Sequence, residues 1–177
     1  YVTCFNSEIK FEDLTSIGNN FLQNCPSFNK KLVFPASLAS VGTNFMDKCN
    51  AFNQPMDLSG TSITALSDYF MYYCVSFNSE LKLPSGLVTS KSTPFNFARY
   101  FKEYNCFSSN YTFNQPISIP SAVTSIGNTF FSGASCLNQP ITVPEGVTSI
   151  GNSFLNGCSA LNCKVTLPST LTSVGVN

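Results

Sequence analysis

Apolar and polar positions along the chain recur on a beat of about 24 residues. Val-Thr-Ser-Ile-Gly-Asn runs from Val123 to Asn128 and again from Val147 to Asn152. Leu14 to Asn19 reads Leu-Thr-Ser-Ile-Gly-Asn, and Leu171 opens Leu-Thr-Ser-Val-Gly. Weaker copies open at Leu38, Ile63 and Leu87. The spacings between these starts are 24, 25, 24, 36, 24 and 24. One period therefore accounts for everything but an excess in the fourth unit.

A second motif keeps the same beat. Phe-Asn-Gln-Pro stands at Phe52 and Phe113, and Leu-Asn-Gln-Pro at Leu137. Phe-Asn or Leu-Asn alone stands at Phe5, Phe28, Phe77 and Leu161. A short apolar-variable-apolar run follows, as in Ile9-Lys10-Phe11, Leu32-Val33-Phe34, Met56-Asp57-Leu58 and Ile141-Thr142-Val143. Alternation of this kind predicts a strand with one buried face. Pro35, Pro84, Pro120, Pro144 and Pro168 then stop the strand and turn the chain. A third column holds Phe21, Phe45, Phe70, Phe130 and Phe154, each followed four residues later by Cys25, Cys49, Cys74, Ala134 or Cys158. That spacing predicts one or two helical turns with Phe and Cys on one side.

One such unit cannot bury its strand face and its Phe alone, so the units must cover one another. The expected fold is a repeat solenoid of about seven units of 24 residues, with stacked parallel short strands and short helical turns. Asn6, Asn29, Asn53, Asn78, Asn114, Asn138 and Asn162 hold one position in every unit. An amide there can serve both its own corner and the next, so this column reads as a structural ladder of hydrogen bonds between units. Cys25, Cys49, Cys74 and Cys158 keep the beat and read as small buried structural thiols. An axial disulfide is the alternative, and zinc is disfavoured because a linear stack makes a poor tetrahedron. Cys4, Cys106, Cys136 and Cys163 fall off the column and are the better candidates for bridging.

The stretch beginning Leu137-Asn-Gln-Pro-Ile-Thr-Val-Pro and continuing to Leu161-Asn162 resembles the BspA-like leucine-rich repeats, and the likeness covers nearly the whole chain. The head Leu of that pattern is often Phe here, and the small residue before the inner Phe is Asn20, Asn44, Tyr69, Thr129 or Ser153. The resemblance implies a curved solenoid with parallel strands, found in surface and secreted proteins that bind and adhere. It carries over no catalytic residue and no cofactor.

Composition fits that reading. Ser, Thr and Asn number 25, 15 and 19, charged residues make up 10%, and the net charge is zero. Nucleic acid as a partner is disfavoured by that neutrality, and no apolar run is long enough for a membrane span. The chain has no His, which removes triads, Cys-His dyads and His ligands. Glu12 and Asp13 form the closest acid pair, and adjacent side chains point apart. An extracellular or cell-surface location follows as an expectation. Tyr1 opens the chain without an initiator Met, which suggests a fragment of a longer chain forming a single repeat domain over 1–177.

Two surfaces are candidates for a partner or ligand. The fourth-unit excess, about 91–112, carries Phe95, Phe97, Arg99, Tyr100, Phe101 and Tyr104, with Tyr72 and Tyr73 of the preceding unit as its expected extension. The outward strand positions Lys10, Val33, Asp57, Lys82, Ser118, Thr142 and Thr166 vary while their flanks do not. A non-enzymatic interaction or adhesion module with a protein or extracellular-matrix partner is the leading expectation. A structural spacer that self-associates through uncapped apolar ends, and a carbohydrate-binding module using the Tyr/Phe cluster, are the alternatives.

Overall fold

Each unit is organised around two short extended segments, one after the Asn corner and one after the Pro turn. The computed structural model describes residues 5–67, 70–71, 73–87, 112–126 and 134–176. Among them the strands are two residues long: β1 (Ser16–Ile17), β2 (Ser40–Val41), β3 (Met56–Asp57), β4 (Leu81–Lys82), β5 (Ser125–Ile126), β6 (Ile141–Thr142), β7 (Ser149–Ile150), β8 (Val165–Thr166) and β9 (Ser173–Val174). β3, β4, β6 and β8 follow the Asn corner, β2, β5, β7 and β9 follow the Pro turn, and β1 follows Glu12-Asp13 in the place of that turn.

Every pairing is parallel and advances by one repeat. Ser16 faces Ser40 in β1–β2, Met56 faces Leu81 in β3–β4, and Ile141 faces Val165 in β6–β8. β5, β7 and β9 form one sheet with Ser125, Ser149 and Ser173 in line. Because the register shift equals the sequence period, like residues meet like residues. Phe5, Phe28, Phe52, Phe77 and Phe113 stack face to face with centroids 5.8, 6.1, 5.8 and 5.8 Å apart. Phe21, Phe45 and Phe70 form a second stack at 5.4 and 4.9 Å, and Phe11 and Phe34 begin a third at 5.3 Å. Phe28, Phe45, Phe52, Phe77 and Phe113 are wholly buried. Offset or tilted aromatic contacts add to the burial of such large side chains, so the three columns are the core of the repeat.

The turns differ from expectation. No helical turn occurs among the described residues. The segments from Phe21 to Cys25 and from Phe45 to Cys49 are flat successive turns with a left-handed backbone at every second residue. Asn20, Leu22 and Asn24 have φ of 62°, 53° and 56°, and Asn44, Met46 and Lys48 have 57°, 56° and 60°. Each such residue costs about 1–2 kcal/mol relative to a right-handed one. The cost is offset sideways: Asn20 N–H donates to Thr43 O (2.8 Å), Asn24 N–H to Asp47 O (2.8 Å) and Met46 N–H to Phe21 O (2.8 Å). Width gives the physical reason. Paired strands lie about 4.8 Å apart, whereas a helix with its side chains is about 10 Å across. A helix in every unit would spread its side of the stack to helix width and curve it, whereas a flat turn holds its side near strand spacing.

Two glycines mark close approaches. A Cβ on Gly42 would stand 2.5 Å from the backbone N of Asn19, and one on Gly175 would meet Asn152 in the same way. Asn19 Oδ1 accepts from Thr43 N–H (2.9 Å) and Asn152 Oδ1 from Val176 N–H (3.0 Å). The Gly-Asn pair thus lets the second strand end against its neighbour.

Candidate functional site

The Asn corner is built from one bond repeated. Asn29 N–H donates to Asn6 Oδ1 (2.9 Å), Asn53 N–H to Asn29 Oδ1 (2.9 Å) and Asn78 N–H to Asn53 Oδ1 (2.8 Å). The series goes on from Asn114 to Asn78 (2.8 Å), Asn138 to Asn114 (2.7 Å) and Asn162 to Asn138 (2.8 Å). The bond between Asn78 and Asn114 crosses the irregular unit, so the excess leaves this corner in register.

A parallel rail was not read from the sequence. Gln54 Nε2 donates to Asn29 Oδ1 (3.2 Å), Gln115 Nε2 to Asn78 Oδ1 (3.2 Å) and Gln139 Nε2 to Asn114 O (3.1 Å). Ser79 Oγ and Cys163 Sγ fill the same position and donate to Asn53 O (2.8 Å) and Asn138 O (3.2 Å). The recurring Asn-Gln-Pro string was its signal: a donor beside each corner Asn reaches back one unit.

The first-strand face carries the variable column. Lys10, Val33, Asp57, Lys82, Ser118 and Thr142 are exposed and Thr166 is half-buried. Their neighbours Met56, Leu58, Leu81, Leu83, Ile141 and Val143 are buried. Lys82 Nζ lies 3.5 Å from Asp57 Oδ2 and 3.4 Å from Glu80 Oε2. The Glu80 carboxylate, with help from Asp57, raises the Lys82 ammonium above its ordinary value. Asp57 is held below the usual carboxylate range, first by the Ser59 hydroxyl at 2.6 Å, then by the Ser59 N–H at 3.0 Å, with Lys82 adding to it. Asp57 and Ser59 form the turn that Pro makes in most other units. Lys10 lies two units earlier and is not part of this cluster. A groove of about 500 Å³ opens beside it, lined by Glu80, Lys82 and Ser85 on one side and Pro116, Ser118 and Pro120 on the other.

Of the aromatic candidates, Tyr73 is 40% exposed with a left-handed backbone, φ 57°. Tyr72, Phe95, Phe97, Arg99, Tyr100, Phe101 and Tyr104 lie outside the described residues.

A family model described as BspA type leucine rich repeat region matches in 6 copies, over residues 1–115 and 101–177. The chain belongs to this family. Among curated proteins and among solved structures, none matches the chain.

The thiols of this BspA-type chain divide by position. Cys49 and Cys74 are buried, and each donates back one unit, Cys49 Sγ to Leu22 O (3.1 Å) and Cys74 Sγ to Met46 O (3.2 Å). Burial first, then the charge of Cys25, pushes the Cys49 thiol up to about 12. Burial also raises Cys25 and Cys158. Cys136 and Cys163, expected as bridging candidates, are free, with Cys136 exposed and Cys163 half-buried. Their places in the repeat explain this: Cys136 falls opposite Ala160, and Cys163 opposite Gln139, one period apart. Cys4 and Cys106 lie outside the described residues. Among the described residues, no three Cys, Asp or Glu side chains gather as a metal site, and no helix is long and apolar enough to cross a membrane.

Proposed function

We propose that this BspA-type chain forms one leucine-rich-repeat solenoid domain over residues 1–177 and serves as a non-enzymatic protein-interaction module of a surface-displayed or secreted protein. Lys10, Val33, Asp57 and Lys82 are the residues a partner meets first. One observation carries the reading: side chains on the outward strand column change from unit to unit while the residues on either side stay apolar, and those beside Asp57, Lys82 and Thr142 are buried. Constant positions make the scaffold, and changing exposed positions on a fixed spacing make a surface that can be specific. Adhesion to a protein or extracellular-matrix partner follows from that surface together with the family.

The test is binding of the chain to a panel of extracellular-matrix proteins by surface plasmon resonance. The variant Lys10→Glu, Val33→Glu, Lys82→Glu keeps the fold, because all three side chains are exposed, and binding should fall at least about tenfold. Unchanged binding by that variant, with loss when 91–112 is replaced by a regular linker, moves the site to the aromatic stretch and refutes the strand-face reading.

A further inference from the structure

Asn156 is the one Asn of the chain's 19 that Gly follows. The corner Asn residues are followed by Ser, Lys, Gln or Cys, and the stack itself holds their amides. Asn29, Asn53, Asn78, Asn114 and Asn138 each accept an N–H of the next unit on Oδ1, at 2.7 to 2.9 Å. Asn19 and Asn152 are held in the same way by the N–H groups of Thr43 and Val176. Asn156 stands off these columns. It is exposed, and its side-chain amide has no hydrogen-bond partner among the described residues. In the repeat it takes the place of Gln23 and Asp47, and Gly157 takes that of Asn24 and Lys48. The backbone is left-handed at this second place in each unit, with φ of 56° at Asn24, 60° at Lys48 and 78° at Gly157. Only Gly157 lacks a Cβ there.

We propose that Asn156-Gly157 is a site of spontaneous covalent modification, in which water converts Asn156 to isoaspartate or aspartate. The Gly157 nitrogen is held one residue from the Asn156 side-chain carbonyl carbon, so its attack closes a five-membered ring. Gly157 has no Cβ to obstruct that attack and changes backbone conformation at little steric cost. The bond from Gly157 N to Cγ forms, the Cγ–Nδ2 bond breaks, and Nδ2 leaves as ammonia with the Gly157 proton. Water then opens the succinimide. Cleavage at the Asn156 backbone carbonyl gives isoaspartate, and cleavage at Cγ gives aspartate. One water enters, one ammonia leaves, and nothing is oxidised or reduced. The fold selects the site along with the sequence: a corner Asn whose Oδ1 is bonded to the next unit cannot swing Cγ onto the following nitrogen without giving up that bond. The surroundings make the change consequential. Residues 113–177 carry only Glu145 and Lys164 as charged residues, so a new carboxylate charges a neutral half of the chain. Cys158 N–H donates to Leu155 O (3.2 Å) across the modified pair. Isoaspartate lengthens that turn by one main-chain carbon and breaks the bond beneath Cys158.

The test ages the full, folded chain in warm buffer at pH 8 and follows it by peptide mass spectrometry. Isoaspartate is read separately, by an isoaspartyl methyltransferase with a labelled methyl donor. The chain should gain the mass difference between an amide and an acid at Asn156 ahead of every corner Asn, and it should become a methyl acceptor. Two variants borrow what the first unit carries at these places, Gln23 and Asn24. Asn156→Gln and Gly157→Asn therefore keep the turn, and each should slow conversion at position 156 by at least about tenfold. Iodoacetamide should label Cys158 faster in the aged parent than in the aged Asn156→Gln chain. The proposal is overturned if Asn156 survives unchanged, if corner Asn residues convert as fast as it does, or if the aged Asn156→Gln chain accepts as much methyl as the parent. Equal Cys158 labelling in the two aged chains overturns the opening of the turn.

Discussion

Replacing Asn29 by Ala removes two hydrogen bonds with one truncation. Asn29 Oδ1 accepts from Asn53 N–H at 2.9 Å and from Gln54 Nε2 at 3.2 Å. A neutral hydrogen bond contributes about 0.5–1.5 kcal/mol net, more where the orphaned donor is buried. Asn53 is exposed, so water takes part of the load, and the summed loss should be about 2 kcal/mol. With a urea slope of about 2 kcal/mol/M, the midpoint should fall by about 1 M. Asn29→Asp keeps an acceptor oxygen at the same place and should recover most of the loss. Amide exchange gives the local readout: the Asn53 amide should speed up about 10–30-fold in the Ala variant and stay near the parent value in the Asp variant. Asn156→Ala, an exposed Asn off the corner, is the control and should stay within about 0.5 kcal/mol of the parent. If Asn29→Ala unfolds with that control, or Asn29→Asp loses as much as Ala, the corner bonds contribute nothing measurable and the reasoning is wrong.

Phe52 is wholly buried between Phe28 and Phe77, so Phe52→Ala should cost about 3–5 kcal/mol, whereas Phe52→Leu should cost about 1 kcal/mol, because Leu137 and Leu161 fill the same column; thermal unfolding separates the two. Gly42→Ala should cost more than about 2 kcal/mol by pushing against the backbone of Asn19, and Gly18→Ala, with nothing near its added Cβ, should be mild. The Cys49 thiol stands at about 12 in the fold against an ordinary 9.0. A raised folded value means its stabilising contribution is whole below pH 9.0 and is lost as pH rises toward about 12. Melting points taken over that window should fall with pH and fall less steeply in Cys49→Ala. At pH 8, iodoacetamide followed by peptide mass spectrometry should label exposed Cys136 faster than buried Cys49 and Cys74. Equal labelling would contradict the burial argument.

Much of the scaffold was legible because a repeat writes each rule several times. Alternation in Met56-Asp57-Leu58 and Ile141-Thr142-Val143 marks strands that the structure pairs in parallel, and the beat fixes the register without long-range information. The Pro of most units was legible as a stop, and the structure shows its carbonyl closing the turn, as in Leu38 N–H to Pro35 O (3.1 Å). The third unit lacks that Pro and uses Asp57 and Ser59 instead, a local substitute that the beat alone does not show. The Gln rail was missed because a polar residue beside a conserved-spacing Asn looks like solvent-facing variation until the neighbouring unit is placed beside it.

The helical turn failed because two different turns share one residue spacing. Phe and Cys four residues apart satisfy a helix read within one unit. They also satisfy a flat turn whose amides are spent on the next unit, and sequence periodicity within a unit cannot tell the two apart. The decision is made between units: the turn amides donate to the neighbouring unit, as Asn20 N–H does to Thr43 O and Met46 N–H to Phe21 O, which holds this side near strand spacing, whereas a helix about 10 Å wide in each unit would spread it and curve the stack. The left-handed residues Leu22, Met46 and Met71 are apolar, with no local preference for that conformation. They are held there by bonds to adjacent units, such as Met46 N–H to Phe21 O and Met71 N–H to Phe45 O, both 2.8 Å.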